Sequence, residues 1–442
     1  MKQHLKRCLI IESLSYHWEV LAPWVDMMKL LGIDTEIAIS GTAGHLETVA
    51  LLGLDPSQVH DVRNLGSLAL DRFDFVLLNT LVHAGYFFPA EPVPRPDLAF
   101  VRQLQRPSIC VIHEPIQWVE KLVVHSFTEV GNGAGTIINL LADGCSVRQG
   151  GFWSDAKWSQ DGDSLWIPYG GGIREFKTVN CGQTYQCTDN AAISLHRRTL
   201  PIEDLKDHLK LKQHAAIALT AEGAHKLEKI HDGIEWVLPF KIEQPCPSRV
   251  DGPIAFAGTI DYDRKSIPSL LNAAKSLKAD EKILIIGGSR DPDFDNDCFV
   301  QTFKRQIAEL GLGEKFLFTG YLPYGQFVEQ VKQCRFIIPL IDDYVDSGAY
   351  LIKLPAMVPL SLGLGVPMIM SGTVSGSLGS DILISYPGQD LVSGLQQCRE
   401  MDKDAYLQLV ENLHRKAQLL YANNLQKLST IINNITGLNT GD

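Results

Sequence analysis

Arg264 and Lys265 stand side by side in "IAFAGTIDYDRKSIPSLLNAAKSL" (254–277), between an apolar run closing on Gly258-Thr259 and an amphipathic helical pattern. A helix start already presents unpaired N–H groups and the positive end of the helix dipole. Two cations added at that point make an anion site. The competing reading is a solvated loop with ordinary surface charges, and the rest of the chain has to decide. Three more apolar runs in the same half end in small or polar residues: Gly287-Gly288-Ser289, Gly320-Tyr321, and "SGTVSGSLG" (371–379) with Ser371, Thr373 and Ser375. Glycine lets a backbone approach a ligand closely. Singly, these are turn glycines of the kind parallel sheets contain. Together with Arg264 and Lys265 they point to a ligand that carries phosphate. In the first half "VIHEP" sets His113 and Glu114 directly after a strand pattern. An imidazole there can donate to or accept from a hydroxyl near neutral pH. Glu114 and Asp26 are the carboxylates that could serve as a base.

These residues need a scaffold that lines up strand ends. The first half supplies strand patterns at "CLIIE" (8–12), "TEIAIS" (35–40), "FDFVLLN" (73–79), "SICVIHE" (108–114) and "AAIALT" (215–220), separated by helical ones. Strands alternating with helices imply parallel βαβ units covered on both faces. The stretch 145–200, rich in Gly, Trp and turn residues, breaks the rhythm and predicts a β-rich insertion. Its Trp153, Trp158 and Trp166 could stack on sugar rings or pack the lobe. "WVLPFKIEQPCPSRVDGP" (236–253) reads as a strand and a Pro-rich linker. The alternation then restarts at 254–258, 282–288, 315–321, 336–340, 367–371 and 382–386. The expected fold is α/β, two Rossmann-like domains facing a central cleft. The expected boundaries are 1–245 for the first domain, 252–400 for the second, and 401–435 for a helix returning to the first. Leu407, Leu409, Val410, Leu413, Leu419 and Leu420 are its expected apolar face. Ligands of such sheets lie at the C-terminal ends of the strands.

Composition narrows the function classes. The chain has 442 residues, 45% of them hydrophobic, and a formal net charge of -11. That charge argues against general nucleic-acid binding and against more than peripheral contact with a membrane. Nine cysteines without a CxxC pair or zinc-ligand spacing imply free thiols and a cytoplasmic location. "DPDFDND" (291–297) lacks the glycine a calcium loop needs, and Thr302 stands where its bidentate Glu belongs. No metal site is expected.

The second half, over about 236–400, resembles the donor domain of GT-B glycosyltransferases, most closely the retaining group 4-like enzymes. "FAGTIDYDRKSIPSLLNAAKSL", "ILIIGG", "LGLGEKFLFTGYLPYGQFVEQVKQCRFIIPL" and "LGVPMIMSGTVSG" carry the resemblance, with "ICVIHEP" in the first half. It implies transfer of a sugar from a UDP- or GDP-linked donor to a hydroxyl of a glycan, lipid-linked or protein acceptor. It implies retention, no metal, and no cofactor beyond the donor itself. Gly258, Thr259, Arg264 and Lys265 would hold the diphosphate, with Gly288, Lys353 in "IKLP", and Ser371, Thr373 and Ser375 beside it. Tyr321 would border the nucleobase and His113 the transferred sugar. The family's paired glutamates before the "G-x-P" strand are missing: no Glu occurs between Glu329 and Glu400. Asp342, Asp343 and Asp346 are the candidate substitutes. The alternative is a non-catalytic GT-B protein that binds or stabilises a partner transferase.

Overall fold

A computed structural model describes the chain apart from residues 1–5, 14–17, 41–51, 83–95, 114, 116–117, 119–122, 131–135, 142–145, 149–151, 155–156, 170–171, 180–182, 199–204, 206–208, 212, 229, 244–246, 263–264, 290–292, 342–353, 373–377 and 438–442. Two parallel sheets organise it. The first runs Glu235–Trp236, His214–Ala218, Ser108–Ile112, Phe75–Leu78, Arg7–Glu12, Asp34–Ile39, Val59–Asp61, and each pairing is parallel. Its strands are apolar at successive positions because both faces are covered. Ile10, Leu77 and Val111 pack on one face with Trp24 and Met27 of the helix Trp18–Leu30. Leu9, Ile11, Val76 and Leu78 pack on the other with Leu98 and Val101 of the helix Leu98–Leu104. The second sheet runs Phe316–Phe318, Ile283–Gly288, Ile254–Thr259, Phe336–Ile338, again parallel. A bridge from Ile337 to Met368 continues it to the parallel pair Ile369–Ser371 and Ile384–Tyr386. The short edge strand Val59–Asp61 has no counterpart in the sequence expectation. The strand expected at the start of 236–253 is the two-residue Glu235–Trp236.

Between Ser108–Ile112 and His214–Ala218 lies an antiparallel sheet of nine described strands. It buries Phe127, Leu140, Ile167, Phe176 and Leu195 on one face. It begins at Val123–Val130, earlier than the expected 145. Buried Glu129 and half-buried His125 sit beside Phe127 in that strand, so its inner face lacks the apolar alternation that marks a strand in sequence.

The two halves are joined by packing as well as by the chain. Buried Arg249 of the linker donates from Nη1 to the carbonyls of Leu364 (2.8 Å) and Gly365 (3.0 Å). It thereby caps the C-terminal end of the helix Met357–Leu364 with a cation. The helix Lys403–Ile435 starts on an N-cap from Asp402. Its first turns, with Tyr406 and Leu409, join the core of the second sheet; Leu413, Ala417, Leu428 and Ile432 join a core shared with the first. Tyr421 donates to Asp26 at 2.7 Å, and Asn424 donates to the carbonyl of Leu238 at 2.7 Å. Leu407 and Leu419 are not on the packed face: Leu419 is 67% exposed. Buried positions instead step by three and four through 413, 417, 421, 424 and 428, which a straight helix of 3.6 residues per turn imposes.

Candidate functional site at the strand ends

Parallel strands lying side by side bring the residues after their C-terminal ends into one row. In the first sheet that row is Glu12-Ser13, Asn79-Thr80 and His113, from three adjacent strands. Glu12 is fully buried. Its Oε2 accepts from Asn79 Nδ2 at 2.6 Å and from Thr80 Oγ1 at 2.8 Å. A buried carboxylate needs such donors, since desolvation without them is costly. The backbone carbonyl of Asn79 accepts from His113 Nε2 at 2.8 Å. A carbonyl only accepts, so Nε2 carries a proton and the ring plane is fixed by the strand beside it. Ser13 Oγ is buried with no hydrogen-bond partner among the described residues. Glu114 lies outside the described residues. Glu12 was missed as a site residue. Its signal was the lone charge closing "CLIIE", which a solvent-facing strand end would show equally.

The matching edge of the second sheet is built from backbone. Gly258, Gly287 and Gly288 end two adjacent strands with φ of 113°, 82° and 103°. Those values lie in the left-handed half of conformational space, which side chains rarely enter. A Cβ on Gly288 would sit 2.8 Å from Cε2 of Phe294. Thr259 closes its strand opposite Gly288, and the Ile260 N–H donates to the Gly288 carbonyl at 2.9 Å. Thr319 Oγ1 accepts from the Gly287 N–H at 3.1 Å and ties in the next strand end. Ser371 ends Ile369–Ser371; it is buried, and its Oγ has no hydrogen-bond partner among the described residues. Tyr321 is 41% exposed after the strand Phe316–Phe318.

Lys265 lies just before the helix Ile267–Ala274, with Nζ donating to the Pro339 carbonyl at 2.7 Å. The Ser266 N–H donates to the carbonyl of Leu340 at 2.9 Å. Leu340 itself is a buried non-glycine at φ 59°. Backbone held in that region costs about 1–3 kcal/mol and persists where neighbours over-determine it. These bonds fix the cation-bearing turn against the neighbouring strand end. The helix that follows has no side-chain N-cap bond. By contrast, Asp297 caps Cys298–Glu309 through the N–H groups of Phe299 and Val300 and also accepts from Ser289. That helix start is already filled by a carboxylate. Arg264, Lys353, Thr373 and Ser375 lie outside the described residues, as do Asp342, Asp343 and Asp346.

In the acidic loop, Asp295 pairs with Lys304 at 2.7 Å and Asp293 accepts from Asn296. Among the described residues no group of three metal-capable side chains converges, and no helix is long and apolar enough to cross a membrane.

No protein-family model matches this sequence, and no curated protein matches it. Solved structures do share its fold. A glycosyltransferase from Rickettsia africae superposes with a TM-score of 0.56 at 12% identity, over 99% of this chain and 100% of that one. HepE from Anabaena, in complex with UDP and glucose, gives 0.53 at 9% identity, over 97% and 99%. Sucrose-phosphate synthase from Thermosynechococcus elongatus gives 0.52 at 11% identity, over 98% and 100%. The fold is GT-B, two Rossmann-like domains facing a central cleft.

Proposed function

We propose that this chain is a glycosyltransferase that moves a sugar from a nucleotide-sugar donor to a hydroxyl acceptor. The observation that carries the reading is the asymmetry of the two cleft edges. One presents glycine backbone and a cation before a helix start; the other presents a fixed imidazole beside a buried carboxylate. The first suits a diphosphate and the second suits sugar hydroxyls. HepE, which shares the fold, binds UDP and glucose, and this supports the same ligand class here.

In the proposed reaction the acceptor oxygen bonds to the anomeric carbon as the bond from that carbon to phosphate breaks. Negative charge grows on the leaving diphosphate. Lys265 and Arg264, at the positive end of the helix Ile267–Ala274, would meet that charge, and fixed charges of this kind stabilise a transition state without reorganising. This assignment needs no metal. Ser371 Oγ, with Thr373 and Ser375 after it, would donate to the same phosphates, and Lys353 would add a point charge. Tyr321 would border the base. His113 would hold a hydroxyl of the transferred sugar, its ring kept in place by the Asn79 carbonyl. The acceptor would attack from the face the diphosphate leaves and pass its proton to the departing phosphate oxygen; Glu114 and Asp26 are the carboxylates that a base for inversion would require. Retention is the stereochemical outcome we assign, with a hexose as the group transferred.

A second reading has its own observation. The absence of Glu between Glu329 and Glu400 removes the carboxylates the resembled enzymes carry there. A protein that keeps the nucleotide site but serves a partner transferase would look the same. The two readings part in one assay: release of UDP or GDP from their sugars, with and without glycan, lipid-linked or peptide acceptors, in EDTA. Turnover that survives EDTA supports the transferase. Nucleotide binding without turnover on any of these acceptors moves the assignment to the partner protein.

A further inference from the structure

We propose that the cavity between the end of the C-terminal helix and the outer edge of the first sheet is a binding site for a neutral saccharide. The cavity holds about 440 Å³, within the range of small-ligand sites. It sits where His214 and Ile234 lead into the strand His214–Ala218 and the edge strand Glu235–Trp236. These are the starts of parallel strands, so the cavity opens at the end of the sheet opposite Glu12, Thr80 and His113. It is separate from the nucleotide cleft, and its case does not rest on the transferase reading.

Its chemistry is selective. Asn423, Gln426, Thr430 and Asn434 line one wall. Their spacing of three, four and four puts them on one stripe of the helix. The amides of Asn423, Gln426 and Asn434 make no hydrogen bond among the described residues, and each offers both a donor and an acceptor. Facing them is His231, whose Nδ1 is buried with no hydrogen-bond partner among the described residues. Ile234, Ile431 and Ile435 give the cavity an apolar floor. The cation present is spent: Lys427 Nζ lies 3.0 Å from Glu235 and 4.6 Å over the Trp236 ring. No net charge is left to select an anion, and that aromatic face is covered against a stacking base. Amides that both donate and accept, set over an apolar floor, match the hydroxyls and C–H face of a pyranose.

The test uses the full chain with maltotetraose, cellotetraose and chitotetraose, followed by calorimetry and by histidine-selective NMR. At least one should bind, with a dissociation constant on the order of 1 mM or tighter, and should shift the His231 ring signals. Replacing Gln426 and Asn434 together with Ala should weaken it by about tenfold or more, while UDP and GDP titrations stay as in wild type. Both residues are exposed on the helix, so the fold should survive, and circular dichroism checks this. No binding of any of the three saccharides overturns the proposal. So does binding that the double variant leaves unchanged, or that leaves His231 unmoved. Loss of nucleotide binding in wild type would instead count against the transferase reading alone.

Discussion

The two edges of the cleft solve the same problem in opposite ways. At the first sheet, side chains close the strand ends: Glu12 takes two donors and the Asn79 carbonyl takes the His113 ring. At the second, backbone does so, with three glycines at positive φ and a serine hydroxyl left unbonded. A network of bonded side chains, with the Ser13 hydroxyl left over among the described residues, holds the His113 ring still at the cost of adaptability. Open backbone accepts a phosphate closely and leaves hydrogen-bonding capacity for it. The comparison teaches that substitutions at the first edge should be read as stability, and at the second as ligand affinity, unless sterics intervene.

Gly288→Val should break that rule most strongly. The new side chain would meet Phe294 at 2.8 Å from a φ of 103°, adding overpacking to strain. Denaturant unfolding should show a loss of about 3–5 kcal/mol, along with weakened nucleotide binding. A change below about 0.5 kcal/mol would mean that this strand end is slack. Glu12→Ala comes next. It leaves Asn79 and Thr80 donors buried without their carboxylate, and unfolding should show a loss of about 2–4 kcal/mol. Glu12→Gln should cost less, since it keeps the shape and one acceptor oxygen.

Ser371→Ala sharpens the contrast from the other side. A buried hydroxyl with no partner stabilises nothing, so the unliganded protein should lose less than about 0.5 kcal/mol, or gain slightly. Nucleotide affinity should fall by about 0.5–1.5 kcal/mol. Equal stability with equal affinity would remove Ser371 from the site.

The smallest expected effect depends on pH. Residues 236–402 contain no histidine, whereas twelve of the thirteen lie before 236. Burial pushes the His125 and His214 pKa values below the ordinary 6.5, helped by Arg197 and Arg102 respectively. The folded state then binds fewer protons than the unfolded one. The stability these rings allow is complete above about 6.5 and declines as pH falls below it. Hydrogen exchange, corrected for intrinsic rate, should lose protection between pH 7.5 and 5.5 in Ser108–Ile112, Val123–Val130 and His214–Ala218. The strands Ile254–Thr259 and Ile283–Gly288 should hold. Uniform loss across both halves would contradict this assignment.

Much of the scaffold was legible because parallel strands covered on both faces write themselves as continuous apolar runs, and "KILIIGG" and "SICVIHE" could hardly be misread. Gly258, Gly287 and Gly288 were legible for the same reason: they end such runs. Glu12 was not, because a single charge at a strand end says nothing of the Asn79 and Thr80 donors that arrive 67 and 68 residues later. The start of the antiparallel sheet was hidden by inward His125 and Glu129. Leu407 and Leu419 were misplaced because a run of leucines on a long helix fits several faces until a partner selects one.

Calorimetry of the donor site tests the central claim most directly. UDP, GDP and ADP, with their sugars, are titrated into wild type, Arg264→Ala and Lys265→Ala, and turnover is measured on the same samples. At least one nucleotide sugar should bind wild type. Each variant should lose about 10- to 100-fold, the equivalent of one charge-assisted contact at about 1.5–3 kcal/mol. Turnover should fall with affinity, because the contact strengthens as the leaving group gains charge. Unchanged binding and turnover in both variants would contradict the assignment of this strand-to-helix turn to a sugar-nucleotide diphosphate.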